Sequence, residues 1–102
     1  MNITEVKIRG VFPEAAAKAV VSIVIDGGFA VNNIRIMKSR KGRLFIAMPE
    51  YRTEGGRYHD AAHPVNSGAR RVLREKVFAA YYKYLENAYL PGKGVINVNP
   101  PA

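Results

Sequence analysis

The chain has 102 residues, the size of one domain with a modest hydrophobic core. Its 16 lysines and arginines against 8 acidic residues give a net charge of +8, which favours nucleic acid, an anionic membrane or an acidic protein as partner. Cysteine is absent, which excludes disulfides, thiolate chemistry and cysteine-based zinc sites. The N-terminus alternates charged and apolar residues, unlike a signal peptide, and no apolar run approaches the ~18 residues of a membrane span. We therefore expect a cytoplasmic protein with no membrane partner.

The first strand is predicted from apolar residues that alternate with charged ones. Val6, Ile8 and Phe12 have the parity to share one face, opposite Glu5 and other charged side chains. The pattern breaks at residues 13–17. A helical turn and a loop both fit this break, and we favour the loop.

Two further strands are predicted around a tight turn. Residues 19–25 are almost all apolar and β-branched, which is typical of a strand covered on both faces. Asp26-Gly27-Gly28 favours a tight hairpin, because glycine readily adopts the positive φ that such turns require. Residues 29–36 change parity midway, and a bulge at Asn32-Asn33 would restore a common face.

A basic turn and a long arm complete the strand-rich half. Residues 37–42 form the turn, and residues 43–48 are predicted as the fourth strand. Residues 49–59 then form a long loop or arm, with residues 57–59 as a candidate short strand. The fold class that follows is α+β, with a four- to five-stranded, mostly antiparallel sheet between residue 2 and about residue 59.

One long helix is predicted after the strands. Asn66 or Ser67 can cap its free backbone N–H groups, and Pro91-Gly92 should end it, so we expect a helix from about residue 67 to 90. Its apolar residues recur every three or four positions, and the predicted buried face is Val72, Leu73, Val77, Tyr81 and Leu85. The helix should pack on the sheet. Residues 1–90 are thus interpreted as one domain, and residues 91–102 as a flexible C-terminal tail or at most a short added strand.

The segment from residue 44 to 68 is the most specific part of the sequence. It contains, in order, Phe45-Ile46-Ala47-Met48-Pro49, Arg52-Thr53, Asp60-Ala61-Ala62-His63-Pro64-Val65-Asn66-Ser67-Gly68 and Arg70. This order resembles the bacterial septation-regulator family called stage V sporulation protein G. Residues 3–9 and 34–36 also have counterparts there, so the resemblance covers about residues 1–85. The sequence departs from the family pattern at Asn33, Glu50, Tyr51 and Gly56.

The resemblance implies a small homodimeric regulator that binds DNA and, in some members, RNA. Its role would be linked to septation, sporulation or broader gene regulation. The resemblance also implies an architectural role for the shared segment. Accordingly, the residues assigned to holding the turn into the helix are Pro49, Asp60, His63, Pro64, Asn66 and Ser67.

The basic residues suggest where nucleic acid would bind. One cluster is the turn with Lys38, Arg40, Lys41 and Arg43, and the other is the helix start with Arg70, Arg71, Arg74 and Lys76. Basic side chains oppose the helix dipole at an N-terminus, whereas a phosphate there would meet both free N–H groups and guanidinium groups. A solvated charged face is the plainer alternative. In the arm, Arg52 and Arg57 stand beside Tyr51 and Tyr58, which could stack on bases.

Weaker patterns point to other chemistry. His59, Asp60 and His63 could be metal ligands or catalytic groups, but a structural role for this loop fits better. Gly55-Gly56 lacks the rest of a phosphate-binding consensus and is interpreted as a turn. Ser67 has no evident base and is interpreted as a helix cap rather than a nucleophile. We expect no enzyme activity, metal, cofactor or small-molecule substrate.

Two hypotheses of different class remain. The first is a homodimeric regulator whose partners are DNA, RNA and a second copy of itself. The second is a protein-interaction adaptor of the cell-division machinery, whose basic surface docks an acidic partner without direct binding to nucleic acid. A steep salt dependence of nucleic-acid binding would favour the first hypothesis.

Overall fold

A computed structural model describes residues 1–90 and 94–95 of the chain. Four strands form the main sheet in the order in which they occur: β1 (Ile3–Val11), β2 (Ala17–Ile25), β3 (Phe29–Lys38) and β4 (Leu44–Ala47). Each pairs antiparallel with the next. The predicted antiparallel sheet is therefore confirmed. It is a simple meander with β1 and β4 at its edges.

The turn between β2 and β3 follows the prediction. Asp26 and Gly27 have φ values of 50° and 66°, and the Gly28 amide donates a hydrogen bond of 3.0 Å to the Ile25 carbonyl. Two positive φ values match the right-handed twist of the strands that the turn joins. The predicted bulge in β3 is also confirmed, because Asn33 has a φ of 61° and the pairing with β2 shifts there. The bulge places Val31 and Ile34 on the same face.

The predicted face of β1 is partly wrong. A shift in the pairing between Ile8 and Gly10 reverses the alternation, so that Val11 is buried and Phe12 is exposed. The Phe12 ring lies over Gly10, within 2.8 Å of where a Cβ at that glycine would be. A side chain at position 10 would have to displace this ring. Residues 13–16 form the loop that we favoured, without a helix.

The prediction that β2 is covered on both faces is also partly wrong. Ala19, Val21 and Ile23 are buried under the helix, but Val20 and Val24 on the opposite face are only half-buried. The described elements place a helix on one face of the sheet only, so the second face lacks a covering layer.

The arm contains a small second sheet. Strands β5 (Glu50–Arg52) and β6 (Tyr58–Asp60) pair with each other and not with the main sheet. The Thr53 amide donates to the Arg57 carbonyl at 2.8 Å, and Gly56 adopts a φ of 81° in the turn. The short strand predicted at residues 57–59 thus lies one residue later, and its partner strand was not predicted.

Helix α1 (Ser67–Ala88) crosses one face of the main sheet. Asn66 caps it, because its Oδ1 accepts a hydrogen bond of 2.8 Å from the Ala69 amide. The core between helix and sheet consists of Ile3, Ile8, Val11, Ala19, Val21, Ile23, Ile34, Ile36, Leu73, Val77 and Tyr81. Of the predicted helix face, Leu73, Val77 and Tyr81 are buried, while Val72 and Leu85 are half-buried.

The helix ends two residues earlier than predicted. Strand β7 (Tyr89–Leu90) follows it directly and pairs with β8 (Gly94–Val95). The pairing at residues 94–95 agrees with the alternative of a short added strand. The interpretation of the remaining tail residues as flexible lies outside the described residues.

Candidate nucleic-acid interface

A groove runs between α1 and the edge strand β4. It exists because the helix makes its closest approach to β1 at the opposite edge of the sheet. Near the start of the helix the groove has a volume of about 650 Å³, with Leu44, Ile46 and Leu73 among its apolar lining residues. Arg70 and Arg74, one helical turn apart, line the same part of the groove. An apolar floor is therefore bordered by two guanidinium groups, and the carboxylates of Glu50 and Asp60 line the same part of the groove.

The groove continues toward the C-terminal half of the helix. There Lys38 and Arg43 lie opposite Phe78 and Tyr82, and Leu44 lines both parts. The basic turn between β3 and β4 and the basic start of α1 are about thirty residues apart in sequence. The fold brings them to the two ends of one groove, because β4 runs from the turn toward the first residues of the helix.

The candidate basic residues are free to meet a ligand. All ten of those predicted to bind nucleic acid are exposed. Within the part of the chain that the structure describes, the ion pairs join Lys7 to Glu5 and Arg35 to Glu50, and none involves a predicted binding residue. Their charges are therefore not neutralised by neighbouring acids in direct contact.

Not all of the predicted nucleic-acid-binding residues lie in the groove. Arg71 lies on the neighbouring flank of the helix, beside Arg74, Glu75 and Phe78. Lys76 is six residues after Arg70, which turns it about 120° away around the helix axis. Four other predicted contacts do not line the groove: Arg40, Lys41, Arg52 and Arg57.

The N-terminus of α1 offers backbone donors beside these side chains. Asn66 accepts from the Ala69 amide through its side chain and from the Arg70 amide, at 3.0 Å, through its carbonyl. The amides of Ser67 and Gly68 have no intrahelical partner at this position. The first turn contains no acidic residue. A negatively charged group is thus favoured at this end of the helix by the dipole and by the nearby arginines.

The arm presents aromatic and basic side chains together. Tyr51 and His59 lie across β5 and β6 with their ring centroids 5.8 Å apart. The Arg52 guanidinium lies 5.9 Å from the centroid of the Tyr58 ring, within reach of a cation–π contact. Both tyrosines are exposed, so the ring faces that do not contact a neighbour are accessible.

The residues assigned to the turn before the helix make both backbone and side-chain contacts, the latter including the Asn66 cap. The Ala61 amide donates to the Pro49 carbonyl at 2.7 Å, which joins the two ends of the arm. The His63 Nδ1 lies 3.1 Å from the carbonyl oxygen of Pro64. In residues 1–90 and 94–95 no group of three histidine or acidic side chains is placed to hold a metal ion.

Two of the helix tyrosines are packed rather than available for stacking. Tyr81 is buried, and Tyr84 is half-buried on the same side of the helix. Burial raises the pKa of the Tyr81 hydroxyl above its usual value, with a smaller contribution from neighbouring Tyr82. Tyr82 itself is exposed at the groove.

Lys18 is a groove residue that the sequence did not suggest. It lines the same end as Lys38 and Arg43, and its Nζ donates a hydrogen bond of 2.8 Å to the Pro13 carbonyl. It belongs to a strand that is apolar apart from Lys18 and Ser22, far from either basic cluster in sequence. The signal that could have found it is the meander itself, which puts the β1–β2 and β3–β4 turns at the same end of the sheet. The Lys38 amide, which donates to the Ala16 carbonyl at 3.0 Å, shows this proximity.

The family model SpoVG matches residues 1–83. The chain belongs to the SpoVG family. Relatives with the name "Putative septation protein SpoVG 1" or "Putative septation protein SpoVG" include one from Listeria monocytogenes that is 47% identical over 81 residues, covering 79% of this chain and 78% of the relative. One from Agathobacter rectalis is 44% identical over 87 residues, covering 85% and 99%. One from Geobacillus thermodenitrificans is 41% identical over 83 residues, covering 81% and 85%.

Membership of the SpoVG family agrees with the resemblance found in the sequence. The matched region includes the four-stranded sheet, the arm and most of α1. The groove between β4 and α1 is thus built from the part of the chain that the family shares. No helix in the described residues is long and apolar enough to cross a membrane.

Proposed function

We propose that the protein is a homodimeric regulator that binds DNA, with RNA as a second ligand class, and that it acts in septation or in broader gene regulation in bacteria. The observation that carries the proposal is the groove between β4 and α1, where Lys38 and Arg43 at one end and Arg70 and Arg74 at the other are exposed. A row of free cations along a groove suits a phosphate backbone.

The role of the helix start is to hold a phosphate. The Ser67 and Gly68 amides and the dipole of α1 favour an anion there, and Arg70 and Arg71 supply the charge. The exposed arm, with Tyr51 and Tyr58 beside Arg52, would add stacking on unpaired bases and so accommodate single-stranded RNA. Such a regulator acts where nucleic acid is found, in the cytoplasm, and needs no catalytic group.

A salt titration of binding tests the proposal. If each protomer neutralises roughly three or four phosphates, the logarithm of the binding constant of the dimer should fall with the logarithm of salt concentration with a slope of about −5 to −7 on duplex DNA. The double variant Arg70→Ala/Arg71→Ala should bind much more weakly and with a flatter slope. Its thermal stability should change little because both side chains are exposed.

A matched control separates specific contacts from loss of net charge. Lys76 and Lys83 are seven residues apart, so they share a helix face that points away from Arg70. Lys76→Ala/Lys83→Ala removes the same two charges and should keep most of the affinity. If the Arg70/Arg71 variant, folded and dimeric, bound DNA and RNA as tightly as the parent, the proposal would be wrong. Absence of salt-dependent binding by the parent would favour an adaptor that docks an acidic protein.

A further inference from the structure

A small apolar pocket adjoins the groove near the start of the helix. Its volume is about 220 Å³. Its walls come from the ends of β2 and β3 that meet at their turn and from the segments on either side of the arm, with lining residues that include Ile25, Phe29, Val31 and Ala62. Four residues line both the pocket and the groove: Met48, His63, Pro64 and Leu73. The two spaces are thus adjacent, so one extended ligand can reach both.

The pocket is rimmed by exposed apolar side chains. Phe29 is 68% exposed and Met1 is 54% exposed, and both line the pocket. In the described part of the chain no other aromatic ring packs against Phe29. Apolar side chains exposed around a cavity are characteristic of a binding site. The Phe29 ring is therefore available to stack on a flat ligand.

His63 supplies one directed polar group. Among the described residues that line the pocket, it has the only polar side chain. Its Nδ1 lies 3.1 Å from the Pro64 carbonyl oxygen, which can only accept a hydrogen bond. This contact favours the neutral tautomer with the proton on Nδ1, so Nε2 is left as an acceptor. The pocket thus suits a flat, largely apolar ligand that donates one hydrogen bond.

Size and polarity distinguish among the nucleobases. A dry apolar cavity of about 150 Å³ holds benzene, a single ring, so the larger volume of this pocket suits a fused two-ring purine. Adenine can donate to His63 Nε2 through its exocyclic amino group. Guanine also carries a carbonyl and a ring N–H, which would lose water without gaining a partner in the apolar walls. Adenine is therefore the favoured occupant.

We propose that the pocket holds one unpaired adenine of a single strand whose phosphates lie along the groove. The proposal rests on the proposed function and names the base that this function would select. Phe29 stacks on the base, and His63 accepts from its amino group. Arg70 and Arg74, which line the adjoining groove, meet the flanking phosphates. An adenine within a duplex cannot enter, because its amino group and both ring faces are already engaged.

Short oligonucleotides test the base preference. By fluorescence anisotropy, an oligothymidylate with one central adenine should bind roughly tenfold more tightly than the same strand with a central thymine, guanine or abasic site. All four strands carry the same phosphates, so the salt dependence of their binding should be equal. Equal affinity for the four strands, or a preference for guanine, would overturn the proposal.

Filling the pocket should remove the preference. Ala62→Leu adds a larger side chain to the wall and should lower the affinity for the adenine strand to that for the thymine strand. Ala61→Leu makes the same change at an exposed neighbour that does not line the pocket, and should keep the preference. Circular dichroism checks that both variants fold.

Removing the stacking ring gives a second variant. Phe29→Ala should reduce the preference for adenine, whereas Phe12→Ala should not, because Phe12 is also exposed but does not line the pocket. Retention of the full preference in both Ala62→Leu and Phe29→Ala would refute the proposal.

The three methionines of the chain report where the base binds. Met1 and Met48 line the pocket, whereas Met37 does not and lies on the face of β3 opposite buried Ile36. With isotope-labelled methyl groups, the adenine strand should shift the NMR signals of Met1 and Met48 through the ring current of the base and leave that of Met37 unchanged. Equal shifts with the adenine and thymine strands would place the base elsewhere and refute the pocket.

Failure of this proposal can be told from failure of the proposed function. If no strand binds in a salt-dependent way, both are wrong. If all four strands bind with a steep salt dependence and equal affinity, only the adenine pocket is wrong. Adenosine monophosphate distinguishes a strand from a free nucleotide, since it lacks the neighbouring phosphates and should bind far more weakly than the adenine strand. Equal affinity for the two would overturn the assignment of the pocket to a strand.

Discussion

The Arg35 Nη2 donates a hydrogen bond of 2.7 Å to Glu50 Oε1 and thereby joins β3 of the main sheet to β5 of the arm. Both side chains are about one-third exposed, at 35% and 38%, so water screens the pair only in part. Together with the hydrogen bond from the Ala61 amide to the Pro49 carbonyl, this ion pair fixes the base of the arm beside the groove. Glu50 is also one of the positions at which the sequence departs from the family pattern.

The Glu50→Gln variant should loosen the arm without unfolding the domain. Partly exposed ion pairs contribute about 1 kcal/mol or less, so the free energy of unfolding should fall by no more than that. Amides of β5 and β6 should nonetheless exchange faster in hydrogen-exchange measurements, while those of β2 should not change. Glu54→Gln, an exposed substitution in the turn of the same arm, is the control. Equal exchange in both variants would show that the pair does not anchor the arm.

The basic turn is expected to contact the phosphate backbone rather than bases. Lys41→Ala/Arg43→Ala should weaken binding to duplexes of unrelated sequence by about the same factor. Because two charges are removed from each protomer, the salt slope of the dimer should become less negative by roughly 4 units at most. Fluorescence anisotropy on several duplexes would measure both effects. Weakening confined to one duplex would show that these side chains read bases.

Packing of α1 on the sheet should dominate stability. Val77→Ala removes two methyl groups from a side chain with 0% exposure and should cost about 2–4 kcal/mol, from lost transfer free energy and a residual cavity. Val65→Ala makes the same change at a residue that is 82% exposed and should cost almost nothing. Urea unfolding of the two variants gives the comparison. Similar costs at both positions would mean that the helix does not pack as described.

Tyr81 should make the protein sensitive to alkali. Its folded pKa is raised above the unfolded value near 10, chiefly by burial, so the neutral hydroxyl contributes stability below about pH 10. That stability is lost as pH rises through the higher folded pKa, because the unfolded chain ionises first. Tyr81→Phe should therefore shift the midpoint of alkaline unfolding upward, as followed by circular dichroism and tyrosinate absorbance. Tyr58→Phe, in the exposed arm, should not shift it.

Local chemistry was sufficient to predict much of the fold. The turn at Asp26-Gly27, the bulge at Asn33 and the capped helix start each depend on a backbone conformation that a few neighbouring residues decide. The buried face of the helix was predictable for the same reason. Leu73, Val77 and Tyr81 follow the helical spacing of apolar residues, and all three are buried. The sequence alone also determined the family, through the ordered motif between residues 44 and 70 and the counterparts before it.

Only the tertiary structure decided which residues share a surface. Phe12 is exposed because an irregular pairing near Gly10 reverses the alternation, and such irregularities depend on the partner strand. Likewise, β5 pairs with β6 only because the arm folds back on itself. Convergence of Lys18, Lys38 and Arg70 on one groove follows from the meander and from where the helix crosses it. The net charge and the spacing of apolar residues are properties of the sequence. A groove, in contrast, exists only where two separate elements of the fold leave space between them.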